Sequence, residues 1–228
     1  MLATLDDGGS GSVDGFARQE RSALADTLLR VGPDAPTLCT GWSASDLAAH
    51  LIIRESRPVA AAGILVKGLA PLTQRAQDAV KQNTPFPQLV EKVRQGPPLW
   101  SFFRVGAVDA AANVVEFFVH HEDLRRAVGD PPRQLERTYS DELWNRLRRQ
   151  ARLSYRSAPV GVTLVRAEDD DSPRQTIVAK AATPLMVTVT GPAGELVLFT
   201  SGRKEAARVQ LSGDEAAVER LRGAKLGF

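Results

Sequence analysis

Apolar side chains recur at helical spacing over the first two-thirds of the chain. Between Phe16 and Val31 they return at steps of three or four residues or multiples of these, and Gly32-Pro33 ends the pattern, which predicts a helix. Similar stretches predict further helices over residues 43–57, 72–82, 86–95, 108–128 and 140–156. Prolines and glycines separate most of these segments, as expected between helices.

Beyond Pro159 the pattern changes to the alternation that is typical of strands. Residues 160–165, 176–181 and 185–190 are rich in Val, Ile and Thr, with polar turns between them. The pattern also favours a strand over 208–211 and a short helix over 214–224, whereas the apolar run 195–200 suits either a helix or a strand.

These patterns predict an α+β protein with two domains. A helical bundle is expected over residues 15–157 and a small α+β domain over residues 158–228. Residues 1–14, with a run of Asp, Gly and Ser, are expected to form a flexible leader. This leader lacks the build of a signal peptide, and no segment approaches the ~18 apolar residues of a membrane span, so a cytoplasmic protein without membrane contact is expected.

Composition limits the chemistry that is available. Lys+Arg 29 against Asp+Glu 27 leaves a formal charge of +2, too balanced to indicate a nucleic-acid-binding or membrane-binding surface. Cys39 is the single cysteine, so the chain cannot form an intramolecular disulfide or a cysteine-rich zinc site. Imidazole chemistry must come from the three histidines, which are His50, His120 and His121.

A polar stripe runs along the otherwise apolar helix predicted over 108–128. Its members follow one another at steps of 4, 3, 4 and 3, which places them on one helical face: Asp109, Asn113, Glu116, His120 and Asp123. So apolar a helix is expected to be largely buried. Buried carboxylates and imidazoles are costly unless they are paired or bind a metal.

The stripe and the helix predicted over residues 43–57 together suggest a metal site. Glu116 and His120 are four residues apart and can hold one ion, whereas His121 points elsewhere. His50 lies on a helix that begins at Ser43. If the two helices face each other, His50, Glu116 and His120 form a His₂Glu trio with an open coordination position, the arrangement of catalytic zinc.

Structural alternatives accompany each of these residues. A Glu–His pair at this spacing is commonplace on helices. Asp46 follows the predicted cap residue Ser43 by three positions, which is the position of the second residue of a capping box. Asp123 is either an exposed residue near the helix end or a partner that orients His120. Cys39 is expected to be a small buried hydrophobic residue without a part in the chemistry. A glycine-rich phosphate loop, a nucleophile elbow and a zinc-protease helix are absent from the sequence.

Four stretches of the sequence resemble one family. Residues 39–51 (CTGWSASDLAAHL) and 113–123 (NVVEFFVHHED) resemble the two metal motifs of the mycothiol-dependent maleylpyruvate isomerase-like proteins, in the DinB-like metal-binding superfamily. Residues 187–191 (VTVTG) and 195–203 (ELVLFTSGR) resemble the small C-terminal domain of that family, which is similar to sterol carrier proteins. The likeness is greatest to an actinobacterial branch that is described only as metal-binding.

The resemblance implies a four-helix bundle with a divalent metal, usually zinc, held by His50, Glu116 and His120. In characterised relatives the metal activates mycothiol or bacillithiol for isomerisation or S-transfer. An arginine of the small domain assists in the isomerases, and Arg203 is the matching candidate here. The alternative for Arg203 is a charge held near the carbonyls of its own helix end.

We therefore expect a metal-dependent enzyme, of the mycothiol S-transferase or isomerase type, with a small-molecule thiol and an electrophile as partners. Arg54 and Arg57 are candidates for binding the carboxylates of the thiol or substrate, with solvated surface arginines as the alternative. Two other functions stay open: a non-catalytic metal- or ligand-binding protein, and a structural polar network beside a small domain that binds a lipid-like ligand. A His₂Glu site also accepts nickel, iron or cobalt.

Overall fold

The computed structural model describes residues 13–56, 70–96, 107–169, 173–181 and 184–226. The chain divides into two compact units, Met1–Pro132 and Arg133–Phe228. The described residues carry eight helices and a four-stranded sheet, which confirms the α+β class. The predicted leader falls mainly on residues 1–12, outside the described residues, and Val13 already begins the first helix.

Helices are the regular elements of the described part of the first unit. Its helices are α1 (Val13–Val31), α2 (Ala44–Ser56), α3 (Ala70–Asn83), α4 (Phe86–Gln95) and α5 (Ala107–Ala127). Helix α1 packs along α5 and α4, and α2 packs on α3 and α4. Their apolar faces meet in one core whose largest members are Leu24, Leu28, Leu47, Leu51, Leu89, Phe117 and Leu124. The five predicted helices of this region are confirmed, and none of the helices in the described ranges is long and apolar enough to span a membrane.

A reciprocal cap fixes where α2 begins. The backbone N–H of Ser43 donates to Asp46 Oδ2 at 2.9 Å, and the N–H of Asp46 donates to Ser43 Oγ at 3.3 Å. Lys81 of α3 donates to the other carboxylate oxygen of Asp46 at 2.5 Å. Burial alone raises the pKa of Asp46, but the hydrogen bonds from Lys81 and Ser43 outweigh it and lower that pKa below its ordinary value. The predicted role of Asp46 as a cap is confirmed.

The second unit is built on a small mixed sheet. Its elements are α6 (Arg137–Ser154), β1 (Gly161–Arg166), β2 (Gln175–Lys180), β3 (Met186–Gly191), α7 (Ala193–Thr200), β4 (Gln210–Gly213) and α8 (Glu215–Gly223). The strand order is β2-β1-β3-β4, with β1 parallel to β3 and the outer pairs antiparallel. Strand β2 is therefore an edge of the sheet.

Helix α6 belongs to this second unit. The sequence pattern places α6 in the bundle, for which it predicts an end at residue 157. In the structure α6 packs against α7 and β2 of the second unit. Its buried face includes Leu143, Trp144 and Leu147. Helical periodicity shows that a helix has an apolar face and does not show which element covers that face.

The ambiguous run 195–200 is helical. All residues of α7 are buried, so the run has no polar face from which a helical period could be read. Gly202, at φ +87, ends the helix. Its N–H donates to the Phe199 carbonyl at 3.1 Å and the N–H of Arg203 donates to the Leu198 carbonyl at 3.0 Å, the pattern of a Schellman cap.

Candidate metal centre

Helices α2 and α5 bring the three predicted metal ligands together. The Nε2 atom of His50 lies 3.5 Å from Glu116 Oε1, and the Nε2 atom of His120 lies 3.2 Å from the same oxygen. The two imidazole ring centroids are 5.1 Å apart. The potential ligand atoms of the trio all lie within 4.8 Å of one another. One nitrogen from each ring thus faces one carboxylate oxygen.

The opposite nitrogen of each ring has its own partner. Gln77 Nε2, on α3, lies 3.1 Å from His50 Nδ1. Asp123 Oδ2 lies 3.0 Å from His120 Nδ1. Asp123 is fully buried, so the expectation of an exposed residue near the helix end is wrong and its carboxylate orients His120. Such partners fix the ring orientation and the tautomer of ligating histidines.

The pKa values of the three residues of the trio shift in different directions. Burial lowers the pKa of His120, but hydrogen bonds with Asp123, Cys39 and Glu116 outweigh it and hold that pKa well above its ordinary value. Burial raises the pKa of Glu116, but hydrogen bonds from both histidines hold it well below its ordinary value. Burial also lowers the pKa of His50. In the metal-free protein we therefore expect a Glu116 carboxylate beside a His120 imidazolium, so uptake of an ion through His120 Nε2 must release a proton.

Arg54 lies at the edge of this trio. Its Nε atom is 3.3 Å from Glu116 Oε1, and its guanidinium donates to Asn113 Oδ1 at 2.5 Å. The residue predicted to bind a cofactor carboxylate is thus already paired with a carboxylate of the site. Arg57, the second predicted anion-binding residue, lies outside the described residues.

Arg203 lies in the second unit, just after the end of α7. Its guanidinium donates to the Ser201 carbonyl at 2.7 Å. This geometry fits the alternative in which the charge is held near the carbonyls at its own helix end. A catalytic role for Arg203 stays a prediction.

Cys39 contacts the site, so the expectation of a buried hydrophobic residue is wrong, whereas its lack of a part in the chemistry stays a prediction. Its side chain is half-buried, and its thiol donates to Asp123 Oδ2 at 3.2 Å, the same oxygen that contacts His120. The N–H of Leu38 donates to the Asp123 carbonyl at 3.0 Å, which holds the segment before α2 against α5. Cys39, Asp123 and His120 form a second group whose potential ligand atoms lie within 4.8 Å of one another.

His121 points away from the trio, as its helical angle predicts. Its Nδ1 atom lies 2.7 Å from Glu20 Oε1 and its Nε2 atom lies 2.8 Å from Thr27 Oγ1. All three side chains are buried between α1 and α5. The third histidine therefore ties two helices together.

Sequence reasoning misses two neighbours of His50. Gln77 lies in no recognisable motif. The second neighbour is Trp42, whose ring centroid lies 4.9 Å from that of His50. The Asp46–Lys81 ion pair indicates the position of Gln77 beside His50. Asp46 lies four positions from His50, and Lys81 lies four positions from Gln77, so the two residues on each helix share a face. That pair becomes visible only once the helices are packed.

The trio fits a divalent ion. Two imidazole nitrogens and one carboxylate oxygen are the donors that zinc and similar metals accept, and three protein ligands leave a position open for an exogenous group. Both rings are held from behind, as ligating imidazoles usually are. The residues present therefore suit the implied metal.

Comparison with known proteins reveals a shared fold. No protein-family model matches the chain, and no curated protein matches its sequence. The crystal structure of the mycothiol-dependent maleylpyruvate isomerase aligns with a TM-score of 0.51 and 17% identity, over 88% of this chain and 91% of that chain. A structure of a mutant of that isomerase aligns with a TM-score of 0.49 and 15% identity, over 88% and 91%. The chain has the fold of this isomerase.

Proposed function

We propose that the chain is a divalent-metal-dependent enzyme that activates a low-molecular-weight thiol of the mycothiol type, for S-transfer or isomerisation of a small electrophile. The observation that carries this proposal is the convergence of His50 Nε2, His120 Nε2 and Glu116 Oε1. The likeness in fold supports it, because the aligned isomerase is mycothiol-dependent.

The roles of the residues follow from their contacts. His50, Glu116 and His120 would hold the ion, with zinc as the preferred metal. A divalent ion bound there lowers the pKa of a coordinated thiol and so makes a thiolate available near neutral pH. Within the proposal the Arg54 guanidinium, whose Nε lies 3.3 Å from Glu116 Oε1, also binds a carboxylate of the thiol or substrate at the edge of the trio.

The sequence resemblance supports finer assignments as proposals. These are a DinB-like four-helix bundle for the helical part, a sterol carrier protein-like fold for the small domain, and a cytoplasmic, actinobacterial protein. Within the same proposal Arg203 assists the reaction and Arg57 joins Arg54 in binding anionic groups.

Metal analysis and a thiol assay test the proposal together. We expect about one divalent ion per purified chain, by analogy with sites that have three protein ligands. We also expect one of two mycothiol-dependent reactions: consumption of the thiol by an alkylating electrophile such as monobromobimane, with loss of bromide, or isomerisation of maleylpyruvate, in which the thiol is regenerated. Either reaction should be lost on chelation and restored by the metal. Protein that binds no metal after loading would contradict the proposal.

The metal-free network favours one other function. Glu116 is already neutralised by Arg54 and His120, so the polar groups of the site are compensated without an ion. A non-catalytic protein that binds metal reversibly would suit this arrangement. Metal bound at one per chain, with neither thiol consumption nor thiol-dependent isomerisation across the electrophile panel, would favour that second function over the first.

Replacing Gln77 with leucine is expected to weaken metal binding by roughly 10–100-fold, the usual cost of losing a partner behind a ligating histidine. Leucine fills similar space but leaves His50 Nδ1, now 3.1 Å from the Gln77 amide, without its partner. The dissociation constant should be measured by competition with a fluorescent chelator.

Two matched variants control this prediction. Gln77→Glu supplies an acceptor for the Nδ1–H of a His50 ring that binds metal through Nε2, so metal affinity should be retained. Gln74→Leu changes an exposed glutamine of the same helix, whose amide contacts Asp78, and should leave affinity unchanged. Equal affinities for Gln77→Leu and Gln74→Leu would show that Gln77 does not position His50.

A further inference from the structure

A cleft of about 610 Å³ opens in the second unit between α6 and the edge strand β2. Arg148, Arg149 and Arg152 line its helical side, and Ile177 and Val178 line its strand side. All of its lining residues belong to the second unit, whereas the metal ligands belong to the first. We name it the arginine cleft.

Among the described residues, no acidic side chain pairs with the arginines on the helical wall of the arginine cleft. Its three arginines lie at steps of one, three and four residues on α6, where like charges repel. Both carboxylates of α6 are engaged elsewhere, Asp141 with Arg166 at 2.6 Å and Glu142 with Arg146 at 2.5 Å. Within the described ranges, none of the three arginines makes a hydrogen bond or an ion pair.

The strand wall is apolar and open to solvent. Val178 is 53% exposed, one of the most exposed large apolar residues in the part of the chain that is described, and Ile177 is half-buried. Because β2 is an edge strand, none of the other described strands pairs with its outer side. The cleft therefore pairs a cationic wall with an apolar wall, within the 300–1,000 Å³ that is usual for small-molecule sites.

We propose that the arginine cleft binds a small organic anion that carries a phosphate or carboxylate group and an apolar arm. Guanidinium groups bind such oxyanions through paired N–H donors, and three of them on one face neutralise more than one negative charge. The apolar arm would cover Ile177 and Val178. Cleft size favours this occupant over a nucleic acid or a membrane, which would require a broad basic surface.

Titration of the full chain with three probes tests both walls. Hexyl phosphate should bind at least tenfold more tightly than inorganic phosphate, because only the former reaches the apolar wall. Hexanol, which has the arm without the charge, should show no measurable binding. Calorimetry at low ionic strength is the appropriate measurement, since added salt screens exposed charges.

Two pairs of variants assign the binding to the cleft. Arg148→Gln with Arg152→Gln should weaken hexyl phosphate binding at least tenfold, whereas Arg137→Gln with Arg220→Gln removes the same charge from other exposed positions of this unit and should change it less than twofold. Val178→Ser should weaken hexyl phosphate binding and leave inorganic phosphate binding unchanged.

The opposite results overturn the proposal. If hexyl phosphate does not bind, or both double variants bind it equally, the three arginines are a solvated surface. If RNA or anionic vesicles bind through these arginines while the small probes do not, the partner is a macromolecule and the proposed occupant is wrong. Circular dichroism of each variant confirms that the fold is kept.

Discussion

Replacing His50 or His120 with alanine is expected to lower divalent-metal affinity by roughly 100-fold or more, beyond the cost of losing an outer partner. Each substitution removes one of only three protein ligands. His120→Ala also leaves the buried carboxylate of Asp123 without the imidazole that now lies 3.0 Å from it. The measurement is the dissociation constant for zinc, together with the metal content of protein dialysed against a chelator.

The third histidine supplies the control. His121 is adjacent in sequence and equally buried, but its ring contacts Glu20 and Thr27 instead of the trio. His121→Gln should lower the thermal midpoint and keep about one ion per folded chain. A comparable loss of metal in all three variants would mean that the trio does not bind the ion.

Replacing Glu55 with glutamine is expected to lower the free energy of unfolding by about 3–5 kcal/mol, as for other buried ion pairs that lose one partner. Glu55 accepts hydrogen bonds from both terminal nitrogens of Arg21, one of them at 2.7 Å, and both side chains are buried. The guanidinium also lies 4.3 Å from the centroid of the Phe117 ring. Without the carboxylate, the buried charge of Arg21 is left uncompensated.

Urea denaturation of two further variants controls this prediction. Asp26→Asn breaks the ion pair with Arg94, in which the aspartate side chain is 69% exposed, and should cost less than about 1 kcal/mol. Arg21→Met combined with Glu55→Leu removes both charges and should recover much of the stability lost in Glu55→Gln. A Glu55→Gln variant as stable as Asp26→Asn would show that the pair contributes little.

The residues of the trio could be predicted because local rules fix their directions. The Ser43–Asp46 cap determines where α2 begins, and therefore which face His50 occupies. The four-residue step from Glu116 to His120 places both on one face of α5. Two such faces in a small helical unit have few ways to bury their polar groups, and the structure joins them.

Other features depend on packing between distant segments. The thiol of Cys39 meets Asp123 across 84 positions, and Gln77 meets His50 across 27, without any periodic signal in the sequence. Helix α6 has a clear apolar face, but only the sheet that covers it shows that it belongs to the second unit. Helix α7 is buried on all sides, so its pattern carries no period.

The wide separation of the ligands along the chain has a consequence for folding. His50 and Glu116 are 66 positions apart, so an ion held by both closes a loop of that length in any state that keeps it bound. On the chain-entropy model used for disulfides, closing such a loop removes about 4 kcal/mol of conformational entropy from the unfolded chain. The ion would then act as a reversible cross-link between α2 and α5. Its removal would lower the stability of the first unit even with every side chain intact.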